Sequence, residues 1–163
     1  MEAARLAALG SPAPHVEEEF STIKMRDGFE SKVKIYRPAA AARTTGGGKD
    51  SGRPLIVLVF GGGFVVGDYQ QLTPYGRGFA RAFDAVCVTI SYRLAPEHKF
   101  PAAPRDVEDS LLWIDRNAEG TLGADPGAGF VLGGISAGGT YFTFFTHTSC
   151  PFTFDSTVRA VAN

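Results

Sequence analysis

Six consecutive apolar residues, Leu55–Phe60 (LIVLVF), form the longest uninterrupted apolar run in the chain. A strand with no polar side must be covered on both faces, so this run predicts a central parallel strand. Ala85–Ser91 (AVCVTIS) repeats the pattern, and Gly129–Leu132 gives a third, shorter strand. Upstream, Glu17–Lys24 and Ser31–Arg37 alternate apolar and polar positions around Asp27-Gly28, which predicts an antiparallel hairpin. Helical spacing predicts helices over Gly76–Phe83 and over Pro104–Ala118. In the second, Val107, Leu111, Leu112 and Ile114 lie near one face, and Pro104 opens the first turn. A further helix is expected from Ala137. Residues 1–15 read as a short helix and an arm, and 38–54, rich in Ala, Thr and Gly, as a loop. Strands alternating with helices predict an α/β fold: a mostly parallel sheet with flanking helices and the hairpin at its amino-terminal side.

Length and charge narrow the function. The 163 residues fit one domain, and the formal charge of −1 comes without a basic arm or stripe, so nucleic acid is not an expected partner. Cys87 and Cys150 make neither a disulfide framework nor a metal knuckle. The first residues lack the pattern of a secretory signal, and no apolar run is long enough to span a bilayer, so a cytoplasmic location without a membrane span is expected.

Two glycine clusters carry the candidate chemistry. Gly134-Ile135-Ser136-Ala137-Gly138 follows a buried strand and precedes a helical stretch, the setting of a nucleophile elbow. So tight a turn requires small residues two before and two after the serine. It lifts the Ser136 hydroxyl above the sheet, with the Ala137 N–H directed where an oxyanion would form. Gly61-Gly62-Gly63 ends the first buried strand, where backbone N–H groups can face a ligand unobstructed. Each such donor is worth about 3 kcal/mol to an oxyanion transition state. The alternatives are a plain flexible turn, a phosphate loop and a dinucleotide fingerprint. The phosphate loop lacks its Gly-Lys-Ser/Thr, and the fingerprint fails at Val66. Both clusters end strands, at the sheet edge where α/β proteins bind ligands.

From Val33 to Gly139 the chain resembles the hormone-sensitive-lipase-like esterases of the α/β-hydrolase fold. The motifs are FGGGFVVGD (Phe60–Asp68), SYRLAPEHKFPAAPRDVEDSLLWI (Ser91–Ile114) and GGISAGG (Gly133–Gly139). The resemblance implies a serine carboxylic-ester hydrolase without cofactor or metal, acting on a small-molecule ester. Ser136 would be the nucleophile, Gly62, Gly63 and Ala137 the oxyanion donors, and Tyr92–Pro101 a supporting loop. It further implies a single partial hydrolase domain over 1–163, with 17–139 family-like and 140–163 an atypical tail.

Three features depart from the family. Phe60 replaces a histidine that helps fix the glycine loop by hydrogen bonding, and Ile135 replaces a residue that is usually acidic. The order serine, acid, histidine is also unmet: only His147 and Asp155 follow Ser136, in reverse. On a continuous helix His147 would lie about 16 Å from Ser136 at 1.5 Å per residue, beyond a base's reach. His98 and His15 are expected in structural and solvated roles, and Asp68, Asp106 and Glu97 in surface, capping or loop roles. The chain is therefore expected to lack the triad acid and histidine. Its tail, Thr140–Asn163, is full of Phe, Thr and Ser without helical period, and is expected to be foreign to the fold, as translated intron would be, with the missing residues encoded downstream. Ending there would leave Gly129–Leu132 as an aggregation-prone edge. The competing expectations are a non-catalytic small-molecule-binding homologue, as among the gibberellin-receptor relatives, and an inactive fragment.

Overall fold

The computed structural model describes residue 10 and residues 15–39 and 52–141. Expectations for the amino-terminal helix, most of the 38–54 loop and the tail beyond 141 lie outside the described residues.

The hairpin forms as β1 (Val16–Lys24) and β2 (Glu30–Pro38), paired antiparallel in one continuous register from Val16 opposite Pro38 to Lys24 opposite Glu30. Gly28 takes the positive φ of +88° that the turn needs, and the Asp27 carboxylate accepts the Phe29 N–H at 3.1 Å. The three apolar runs become β3 (Leu55–Val59), β4 (Val86–Ile90) and β5 (Phe130–Gly134). Every residue of β3 and β4 is buried, as strands covered on both faces must be. The sheet order is β1-β2-β4-β3-β5. β3 runs parallel to both β4 and β5, whereas β2 joins β4 antiparallel, so the sheet is mixed. Among the described residues β5 is an edge, paired with β3 alone.

Helix α1 (Thr73–Phe83) crosses from β3 to β4, and α2 (Ala102–Asn117) from β4 to β5. Helix α1 begins three residues before the predicted start because Leu72 and Thr73 are buried and Pro74 suits a first turn. At Gly76 the helix meets the Tyr36 ring, where a β-carbon would lie 2.5 Å from Cε2. The stripe that α2 buries is Ala103, Val107, Leu111 and Ile114; Leu112 lies off it, half-buried, because the true spacing is i, i+4, i+7.

One charged cluster ties the hairpin to α1. Lys34 is 1% exposed, and its ammonium pairs with Glu18 at 2.6 Å and sits 4.8 Å above the Phe20 ring. Arg77 of α1 pairs with the same carboxylate. Burial works against the charge on Glu18, but the hydrogen bonds from Arg77 and Lys34 outweigh it and hold the carboxyl below its ordinary pKa.

Candidate active site

The carboxyl ends of β3 and β5 lie side by side, with Val59 opposite Gly134, and both glycine clusters start there. Ser136 follows directly. It is exposed and takes a φ of +53°, in the left-handed region that costs a non-glycine residue about 1–2 kcal/mol. The Ile135 N–H donates to the Val59 carbonyl at 3.2 Å, anchoring the turn to the neighbouring strand. A helix opens at residue 137. Gly138 N–H donates to the Ile135 carbonyl and Gly139 N–H to the Ser136 carbonyl, both at 2.9 Å, whereas Ala137 N–H, at the helix start, has no preceding turn to bond.

The smallness expected around the serine has a physical cause. A β-carbon on Gly134 would lie 2.5 Å from the Gly138 carbonyl oxygen and 2.7 Å from the Gly139 nitrogen. One on Gly138 would lie 2.6 Å from the Phe60 carbonyl oxygen. These clashes are with backbone, which cannot rotate away. The turn closes only if both positions lack side chains.

The glycine loop meets the elbow at Gly61, where a β-carbon would lie 3.2 Å from Ser136 Cβ. Gly62 and Gly63 follow with φ of +137° and +61°, and the Gly62 carbonyl accepts the N–H groups of Val65 at 3.2 Å and Val66 at 3.0 Å. The fold thus brings Gly61 beside Ile135 and Ser136, and the two glycine clusters meet across 73 residues of chain. Exposed apolar side chains lie on both loops that carry the glycines: Phe64, Val65 and Val66 after Gly63, and Ile135 in the elbow. A half-open pocket of about 610 Å³ has Phe64, Phe100, Pro101 and Tyr141 among its walls.

Phe60 is fully buried and its ring stacks on Tyr92, with centroids 4.2 Å apart and planes 7° from parallel. The Tyr92 hydroxyl donates to the Phe60 carbonyl at 3.1 Å. The position that loses a hydrogen-bonding histidine is therefore held by ring packing and by a donor from elsewhere.

The remaining candidates divide. His98 is exposed and packs its ring 6.0 Å from Phe29. His15 is exposed at the start of the hairpin, where its carbonyl accepts the Ala39 N–H. His147 and Asp155 lie outside the described residues. Asp68 caps the turn Tyr69–Leu72 by accepting the Gln70 N–H at 2.8 Å, and Glu97 is exposed. Asp106 corrects its expectation. It is neither on the surface nor a cap but fully buried, accepting the Arg93 backbone N–H and Nε at 2.9 Å and Nη2 at 2.7 Å. Asp27 of the hairpin turn also reaches Arg93 at 2.7 Å, and the Phe29 ring covers the guanidinium. These bonds fix the segment that carries Tyr92. No periodicity joins Arg93 to Asp106, so pattern reading missed the pair, although both lie within the long motif Ser91–Ile114. Among the described residues, no group of three or more His, Cys, Asp or Glu side chains could hold a metal ion. No helix there is long and apolar enough to cross a membrane.

Residues 56–150 match the family model described as the alpha/beta hydrolase fold. The chain belongs to the α/β-hydrolase family. The carboxylic ester hydrolase LipN of Mycobacterium tuberculosis is 40% identical over 132 residues, covering 81% of this chain and 32% of LipN. Among solved structures, vibralactone cyclase superposes with a TM-score of 0.75 at 29% identity, covering 96% of this chain and 44% of the cyclase. A Pyrobaculum calidifontis esterase superposes with a TM-score of 0.69 at 34% identity, covering 93% of this chain and 46% of the esterase. The chain spans 32–40% of the length of the first curated relatives it matches. The fold class read from the sequence, an α/β-hydrolase with an amino-terminal antiparallel hairpin, is the one observed.

Proposed function

We propose that this chain carries the nucleophile and oxyanion half of a serine carboxylic-ester hydrolase. The observation that carries the reading is Ser136, exposed at positive φ on a turn sealed by Gly134 and Gly138, with Gly61, the start of the glycine loop, close beside it. Ser136 Oγ attacks the acyl carbon, and the N–H groups of Gly62, Gly63 and Ala137 bind the oxygen that becomes negative. The base takes the Ser136 Oγ proton and returns it to the leaving oxygen, so collapse of the tetrahedral intermediate breaks the acyl–oxygen bond, expels the alcohol and leaves an acyl-serine. Water then attacks the same carbon and releases the acid. The substrate is a small apolar ester, a reading supported by the exposed Phe64, Val65 and Val66 on the glycine loop and Ile135 in the elbow, and by the Phe64, Phe100, Pro101 and Tyr141 walls of the neighbouring pocket. The base and acid follow the serine in this fold's chain order, and the proposal places them in the further length that the relatives have. A cytoplasmic location, without cofactor, belongs to the same reading; the free, buried thiol of Cys87 accords with a reducing compartment.

Phe60 supports a second reading, a non-catalytic binding protein on the same fold, because the family's histidine is missing from the glycine loop. One experiment separates the two. The full-length protein, with the further segment that carries the base and acid, is purified and treated with diethyl p-nitrophenyl phosphate, and p-nitrophenolate release and intact mass are followed. Stoichiometric phosphorylation of Ser136, lost in Ser136→Ala, supports the hydrolase. Equal, non-stoichiometric release from both proteins refutes it and leaves the binding reading.

A further inference from the structure

We propose that Tyr92 is a positioning residue for the oxyanion glycines, acting through the carbonyl group of Phe60. The proposal rests on the ester-hydrolase reading above. Gly61, Gly62 and Gly63 have no side chains to restrain them, and glycine explores φ more widely than any other residue. Donors that stabilise an oxyanion must nevertheless be fixed before the charge develops. Something outside the loop has to hold it.

The peptide that precedes the loop is gripped from two sides. On one, the Tyr92 hydroxyl donates to the Phe60 carbonyl oxygen at 3.1 Å while the two rings stack at 4.2 Å. On the other, the backbone of Gly138 approaches so closely that a β-carbon there would lie 2.6 Å from the same oxygen. The peptide unit is planar, so fixing this oxygen also fixes the plane of the Gly61 N–H and the direction in which the chain enters Gly62. Gly67 closes the loop's far end, where a β-carbon would lie 2.5 Å from the Gly61 carbonyl oxygen and 2.9 Å from the Phe60 ring.

Tyr92 is itself immobilised. It is 3% exposed, and the next residue is held to buried Asp106 through its backbone N–H. The edge of its ring meets Tyr141 at 5.2 Å, and Tyr141 meets Phe64 at 5.6 Å. Phe60 and Phe64 bracket the glycines, and Tyr141 lies on the helix that follows Ser136. Four rings therefore tie the oxyanion loop to the nucleophile's helix through Tyr92. Burial pushes the Tyr92 hydroxyl up to a pKa of about 12, so it remains a donor throughout the neutral range. The histidine's task at position 60 is performed here by a hydroxyl that reaches the same peptide from the segment after β4.

The test uses Tyr92→Phe, which keeps the stack and deletes the donor, and Phe60→Leu, which keeps the carbonyl and deletes the stack. The saturable phosphorylation of Ser136 by diethyl p-nitrophenyl phosphate is measured in the full-length protein, which supplies the base and acid, with urea denaturation in parallel. Each variant is expected to lower the limiting rate about tenfold, as sub-ångström misplacement of catalytic groups does, with the half-saturating concentration unchanged. A purely structural role would shift the urea midpoint and leave the limiting rate of the folded protein alone. A Tyr92→Phe protein, or, should that one not fold, a Phe60→Leu protein, that reacts at the wild-type limiting rate overturns the proposal while the hydrolase reading stands. Wild-type protein that is not phosphorylated at Ser136 overturns both.

Discussion

Gly134→Ala perturbs the elbow directly, because the added methyl group is placed against the Gly138–Gly139 peptide, which cannot rotate aside. The added carbon would lie 2.5 Å from the Gly138 oxygen and 2.7 Å from the Gly139 nitrogen. Such contacts settle near 3.5 Å, so the turn and the helix after Ser136 must separate by about 1 Å. Overpacking of this kind costs about 1–3 kcal/mol. A 1 Å displacement of a nucleophile from its oxyanion donors costs about a hundredfold in rate. Gly133→Ala is the internal control: its β-carbon would lie 3.3 Å from Leu58 Cδ2, the end of a side chain that can rotate aside. The assay pairs phosphorylation of Ser136 with urea unfolding. Gly134→Ala is expected to lose about 2 kcal/mol and about two orders of magnitude in rate, against under 1 kcal/mol and less than threefold for Gly133→Ala. Equal behaviour of the two variants, or wild-type reactivity in Gly134→Ala, would show that the turn does not set the serine's position.

Two further predictions concern the charges that hold the scaffold. Asp106→Asn removes the carboxylate from a guanidinium that is 13% exposed, leaving Asp27 as its anionic partner, and is expected to destabilise by about 3 kcal/mol in urea denaturation; a loss below 0.5 kcal/mol would mean that Arg93 is restrained by other contacts. Glu18 has its pKa lowered in the folded state, so its contribution is present above the unfolded value, about 4.3, and is lost as pH falls through the folded value. The urea midpoint is therefore expected to fall between about pH 5 and pH 3, and Glu18→Gln, less stable at neutral pH, to fall less steeply; parallel slopes would assign the acid sensitivity to other carboxyls.

Much of this molecule was legible in one dimension, because its signals are local. An unbroken run such as Leu55–Phe60 states that both strand faces are covered, and Asp27-Gly28 states where a hairpin turns. Gly134-Ile135-Ser136-Ala137-Gly138 states its own geometry, since only that pattern of small residues allows the turn to close. Boundaries were less legible: α1 starts early because Leu72 and Thr73 find burial against neighbours that only the fold supplies. Leu112 looked like core by proximity and lies off the stripe, because α2 buries one face, spaced i, i+4, i+7. What tertiary structure alone decided was the meeting of distant groups. Arg93 and Asp106 pair across a loop with no repeat to announce it. Tyr92 reaches the Phe60 carbonyl from the segment after β4. The sequence by itself determined which turns and strands could form. The pairing of β3 with β5 decided that two glycine clusters, 73 residues apart, meet at one edge of the sheet. Backbone geometry is encoded by neighbours along the chain, whereas a site is made by contacts that no local pattern records.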